Sequence, residues 1–84
     1  MFNRLHVGNL TTDVSANELE TLFAQYGEVT AALVVTDQYS GVSRGYGFVE
    51  MATPDDARTA IGALDGCSIG GRELTVAIAK PRSR

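Results

Sequence analysis

Two apolar stripes at helical spacing, Leu19-Leu22-Phe23-Tyr26 and Ala57-Ala60-Ile61-Leu64, constrain this chain more than any other feature. Each stripe is one face wide, so each helix must bury one side against another layer and leave the other side in water. Local chemistry sets where they start. Ser15-Ala16-Asn17-Glu18 is a capping box, in which the Ser15 hydroxyl accepts from a free backbone N–H and Glu18 reaches back to the cap residue. It predicts a helix over 16–26, ended by Gly27. Ahead of the second stripe, Thr53 can cap and Pro54 suits the first helical position. Asp55 and Asp56 favour the positive helix end, and Asp65-Gly66 supplies the stop.

The segments around these helices carry a period of two. Leu5 to Leu10 opens with apolar alternation, and Val29 to Thr36 is rich in β-branched residues. Asp37 to Ser43 has the Asp, Ser and Gly of a hairpin loop. Gly45 to Met51 reads as a third strand, and Leu74, Val76 and Ile78 alternate in a fourth after the Gly70-Gly71 turn. The order is therefore β-α-β-β-α-β. Layer rules turn that order into an α+β, ferredoxin-like sandwich: an antiparallel four-stranded sheet with both helices on one face and the other face open. Residues 1–80 form the domain, and 81–84 a short basic C-terminal tail.

A chain of 84 residues with 44% hydrophobic content can build one modest core without disulfides or metal. No cofactor is expected. The single cysteine, Cys67, has no partner in the chain, which fits a reducing compartment. No run approaches the roughly 18 apolar residues of a membrane span, and the N-terminus does not resemble a secretion signal. These features point to a cytoplasmic monomer with no membrane contact.

Strand parity locates the functional chemistry. In the third strand Gly47, Val49 and Met51 point one way and Tyr46, Phe48 and Glu50 the other. With Val49 and Met51 turned to the helices, two aromatic rings face water. The same parity sends Leu5 and Val7 inward and His6 and Gly8 outward, so His6 joins the rings if the first and third strands are neighbours. Displayed aromatics add nothing to the stability of a soluble domain and usually serve a partner. Nucleobases suit them, since every base has a π-face. Gly45 and Gly47 leave room for an approaching strand, with close helix packing as the alternative reason for Gly47. Arg44 is placed to meet a phosphate.

Arg44-Gly45-Tyr46-Gly47-Phe48-Val49-Glu50-Met51 resembles the eight-residue ribonucleoprotein motif of the RNA recognition motif family, fitting seven of its eight positions. Leu5-His6-Val7-Gly8-Asn9-Leu10 resembles the family's shorter motif, about 35 residues earlier with a capped helix between. The resemblance covers nearly the whole chain and is greatest to the compact single-module RNA-binding proteins of bacteria and organelles. It implies that Tyr46, Phe48 and His6 stack on bases. It also implies a strand order of 4-1-3-2 and a role in post-transcriptional regulation. The chain departs from the pattern twice. Met51 stands where an aromatic is usual, but on the core side, where a thioether fills similar space. His6 replaces a Phe or Tyr of the shorter motif.

A net charge of −3 is the reverse of the basic footprint expected of an RNA-binding protein. Placement explains it in part. Asp13, Glu18, Glu20, Glu28, Asp55, Asp56 and Asp65 fall on or beside the helical layer, away from the rings. Arg4, Arg44, Lys80, Arg82 and Arg84 flank the sheet or follow its last strand. Secondary RNA contacts are thus expected from Arg4, Glu50, Ala77, Lys80 and Arg82. Leu33, Val35 and Thr75 widen the surface if parity allows, and Tyr39 in the hairpin loop is an extra candidate.

The reading is single-stranded RNA binding without catalysis, with single-stranded DNA as a related ligand. The alternative is an interaction module that uses the same scaffold for a peptide or another domain, which the acidic balance favours. An enzyme has little support. His6 and Cys67 lie far apart, capping accounts for Asp55-Asp56, and no phosphate-cradling loop follows a strand. No catalytic or metal-binding residues are expected.

Overall fold

A computed structural model of the protein describes residues 3–79. The elements follow as β1 (Arg4–Gly8), α1 (Ala16–Ala24), β2 (Val29–Thr36), β3 (Ser43–Met51), α2 (Pro54–Leu64), β4 (Ser68–Ile69), β5 (Arg72–Glu73) and β6 (Thr75–Ile78). The main sheet runs β2-β3-β1-β6, with every pair antiparallel. That is the expected 4-1-3-2 order, with β6 as the fourth main strand.

Both caps form as their residues dictate. The Ser15 hydroxyl accepts from the Glu18 N–H at 3.2 Å, and Glu18 Oε1 accepts from the Ser15 N–H at 2.9 Å. Thr53 Oγ1 accepts from the Asp56 N–H at 3.1 Å, with Pro54 opening α2. An N-cap hydroxyl is worth about 1 kcal/mol. Ser15→Ala is accordingly expected to lower the thermal midpoint by about 5 °C, read by circular dichroism, without touching the sheet face. An unchanged midpoint would mean that water replaces the cap at no cost.

The helix α1 stops at Ala24, two residues short of the predicted end. The Tyr26 N–H bonds to the Phe23 carbonyl at 3.0 Å, tightening the last turn to an i−3 pattern. Tyr26 still packs on the core from the turn. A second difference lies between α2 and β6. There, β4 and β5 pair as a small separate hairpin around Gly70-Gly71, Ser68 against Glu73 and Ile69 against Arg72.

The core is one cluster between the helices and one sheet face. Leu5, Val7, Val49, Met51 and Val76 come from the sheet, and Leu19, Phe23, Ala57, Ala60 and Leu64 from the helices. Met51 is fully buried, as its parity requires. Leu10 and Leu74 close the end of the cluster. With the helices on this side, the opposite sheet face is left uncovered.

Candidate functional site

Register brings the outward residues of three strands together. His6 lies directly across from Phe48 on one side and from Ala77 on the other, and Leu33 lies across from Phe48. One row of the open face thus reads Leu33, Phe48, His6, Ala77. The next row reads Ala31, Glu50, Arg4. Tyr46 stands two residues before Phe48, on the His6 side of the patch.

The three rings touch. His6 and Tyr46 have centroids 5.4 Å apart and planes inclined by 23°, a near-parallel stack. His6 meets Phe48 at 5.4 Å and 77°, and Tyr46 meets Phe48 at 6.3 Å and 85°, both edge-on. Edge-on contacts of this kind hold rings in fixed orientations without one ring covering the face of the other. Gly8 makes the arrangement possible, since a Cβ there would lie 2.6 Å from Thr75 Oγ1 and 3.3 Å from the His6 ring.

Arg4 does more than flank the sheet: its guanidinium carbon sits 4.6 Å from the Phe48 ring centroid. This cation–π contact was not expected from the sequence, because a β-strand position does not say which neighbour a long flexible side chain will choose. Glu50 and Ala77 are exposed on the same face, as expected. Arg44 is drawn elsewhere. Its Nη1 lies 3.9 Å from Asp37 Oδ2, at the base of the β2–β3 loop, and both side chains are open to solvent. So exposed a pair contributes little and can yield to a phosphate. Lys80 and Arg82 lie outside the described residues, as does the rest of the 81–84 tail.

The β2–β3 loop is braced by Asp37. Its Oδ1 accepts from the Tyr39 N–H at 2.8 Å and the Ser40 N–H at 3.0 Å. Those bonds, Ser40's foremost and then Tyr39's, hold the Asp37 carboxyl below the usual carboxylate range, so it stays anionic opposite Arg44. The loop leaves Tyr39 90% exposed.

The two motif glycines serve the backbone. Gly45 has φ +86°, a conformation that side chains oppose, and its carbonyl accepts from the Leu10 N–H at 2.9 Å. A Cβ on Gly47 would fall on the Leu33 carbonyl oxygen, with the Val34 Cα only 3.0 Å away. Its close neighbour is thus the paired strand β2, not a helix and not an incoming ligand. Leu33, 44% exposed, is the member of the face that parity left open. Ala32 and Val34 face the core, which turns Leu33 outward beside Phe48.

Among the described residues, no group of three or more His, Cys, Asp or Glu side chains is placed to hold a metal ion. No described helix is long and apolar enough to cross a membrane.

Comparison with known proteins gives a consistent pattern. The sequence model of the RNA recognition motif matches residues 5–75. The RbpA protein of Synechocystis sp. is 46% identical over 93% of this chain and 77% of its own length. The RNA-binding protein CP31B of the Arabidopsis thaliana chloroplast is 46% identical over 96% of this chain, which spans only 28% of that larger protein. Among solved structures, the crystal structure of RNA binding protein PG1 superposes with a TM-score of 0.90 at 46% identity, covering 96% of this chain and 98% of that one. One in the Sex-lethal protein/RNA complex reaches 0.93 at 30% identity, covering 99% of this chain and 50% of that one.

Proposed function

The chain belongs to the RNA recognition motif family, and from that premise we propose that it binds single-stranded RNA by stacking bases on Tyr46, Phe48 and His6. The observation that carries this reading is the contact of three flat rings on one open sheet face, two of them 5.4 Å from the third. A relative named for RNA binding and a structural neighbour in a protein/RNA complex support the same ligand. Residues 1–80 are the binding domain, working as a single copy, and the role is recognition without catalysis. In this reading Arg44, Lys80 and the 81–84 tail with Arg82 meet phosphates, Arg4 adds a contact beside Phe48, and Ala77 offers flat apolar area at the edge.

Few cations serve this surface, so electrostatics supply a minor share. With four phosphates neutralised by Arg44, Lys80, Arg82 and Arg84, and a slope of roughly 0.7 per contact for a single strand, raising salt from about 50 to about 200 mM should weaken binding about fiftyfold. Fluorescence anisotropy with a short labelled oligoribonucleotide measures this. The competing reading, a sheet face that grips an apolar peptide, expects affinity nearly independent of salt. Absence of binding to any single strand at the lower salt would refute the RNA reading. The DNA oligonucleotide of the same sequence tests whether the 2′-hydroxyl is sensed.

A further inference from the structure

Glu50 is an odd residue to find on a surface that receives a polyanion. It stands two residues after Phe48 on the outward face, directly across from Arg4. Opposite charges facing each other across antiparallel strands ordinarily pair. Here the Arg4 guanidinium lies on the Phe48 ring instead. Among the described residues the Glu50 carboxylate makes no ion pair and accepts no hydrogen bond. An acceptor-only group, unpaired among the described residues, thus stands across from a five-donor fork that lies over the Phe48 ring. A base that stacks on Phe48 must displace this fork from the ring face, which frees it for the base edge.

We infer that Arg4 and Glu50 make the Phe48 position a guanine-reading site, an inference that rests on the RNA-binding reading above. A base stacked on Phe48 turns one of its edges toward this pair. Along its edge guanine presents two acceptors, N7 and O6, followed by two donors, N1–H and the 2-amino group. A carboxylate takes the two donors in parallel, and an arginine fork takes N7 and O6. No other base has that order. Uracil offers one N–H between two carbonyls. Adenine and cytosine offer a single amino group beside ring acceptors that would face the carboxylate oxygens. Against those bases Glu50 is left as an unpaired negative charge beside RNA, which costs affinity. Selectivity thus comes both from what the pair attracts and from what it repels.

The test uses the full 84-residue chain and short uridine oligonucleotides carrying G, A, C or U at the centre, titrated by fluorescence anisotropy. The wild-type protein is expected to bind the G oligonucleotide about tenfold more tightly than the U oligonucleotide. Glu50→Gln retains one acceptor and loses the charge. It should bind the U oligonucleotide at least as well as wild type while the G-to-U ratio falls toward one. Arg4→Lys, which keeps the charge but loses the fork, should lose part of the same ratio. Both side chains are exposed, and circular dichroism checks that the variants fold. Equal wild-type affinity for all four oligonucleotides, or a G preference that survives in Glu50→Gln, overturns the inference and leaves RNA binding standing. Failure of the wild type to bind any of them overturns both.

Discussion

Replacing Tyr46 and Phe48 together by alanine is expected to leave the fold intact and to weaken binding to a short RNA at least about thirtyfold. Base-on-aromatic stacking is worth on the order of 1–3 kcal/mol per base, so removing two platforms costs about 2–6 kcal/mol. Neither ring belongs to the buried core, which is assembled on the other side of the sheet from residues such as Phe23, Leu5 and Val49. The structural loss includes the ring contacts with His6 and Arg4 and the contact of the two rings with each other, roughly 0.5–1.5 kcal/mol for each aromatic pair. Circular dichroism should therefore report native helix and sheet signal. Single variants should fall between, with non-additive effects, because each of the two rings contacts His6 and removing either one frees His6 to move. Wild-type affinity in the double variant would refute the stacking mechanism. An unfolded double variant would show that the patch is structural.

Gly47→Ala should be the most damaging single-methyl change in the motif. The added carbon meets the main chain of β2, at the Leu33 carbonyl and the Val34 Cα. Backbone in a paired strand cannot swing aside as a side-chain tip does. Relief requires β2 to separate from β3, losing ladder bonds on the strand that carries Leu33. Overpacking of this kind costs typically 1–3 kcal/mol, and with backbone as the obstacle we expect about 3 kcal/mol. A domain of this size has a total stability of only about 4–13 kcal/mol. Urea titration measures the change directly. Gly62→Ala is the matched control: it lies in α2 with nothing within 4 Å of the added carbon. There the substitution should stabilise by up to about 1 kcal/mol through helix propensity. The same chemical change with opposite signs isolates the close strand approach. Equal midpoints for the two variants would remove it as the reason for Gly47.

Much of this architecture is determined by residues close together in the chain. The capping box at Ser15, the cap at Thr53, the buried stripes of the two helices, and the inward parity of Val49 and Met51 depend on spacing alone. A helix buries every third or fourth residue and a strand every second, whatever lies opposite. The same periodicity made Tyr46, Phe48 and His6 legible as outward residues, and the strand order implied by the resemblance brings them into contact. The β4–β5 hairpin escaped because two-residue strands are too short to establish a period. Strand β2 was legible, but its parity escaped for the opposite reason. Apolar residues such as Leu33 and Val34 occupy both of its faces, and the register shifts around Thr30 and Val35 break the alternation.

Side-chain choices among several neighbours were settled only by the folded structure. Arg4 faces Glu50 yet covers Phe48, and Arg44 turns toward Asp37 in the loop. Gly47 looked like a concession to a helix or a ligand, but its constraint is a strand that follows a different part of the sequence. The distinction has one physical source. Periodicity fixes the direction in which a side chain leaves the backbone, because that is a property of local geometry. The partner it meets depends on contacts brought together across dozens of residues, and for long charged side chains several partners compete within a few kcal/mol.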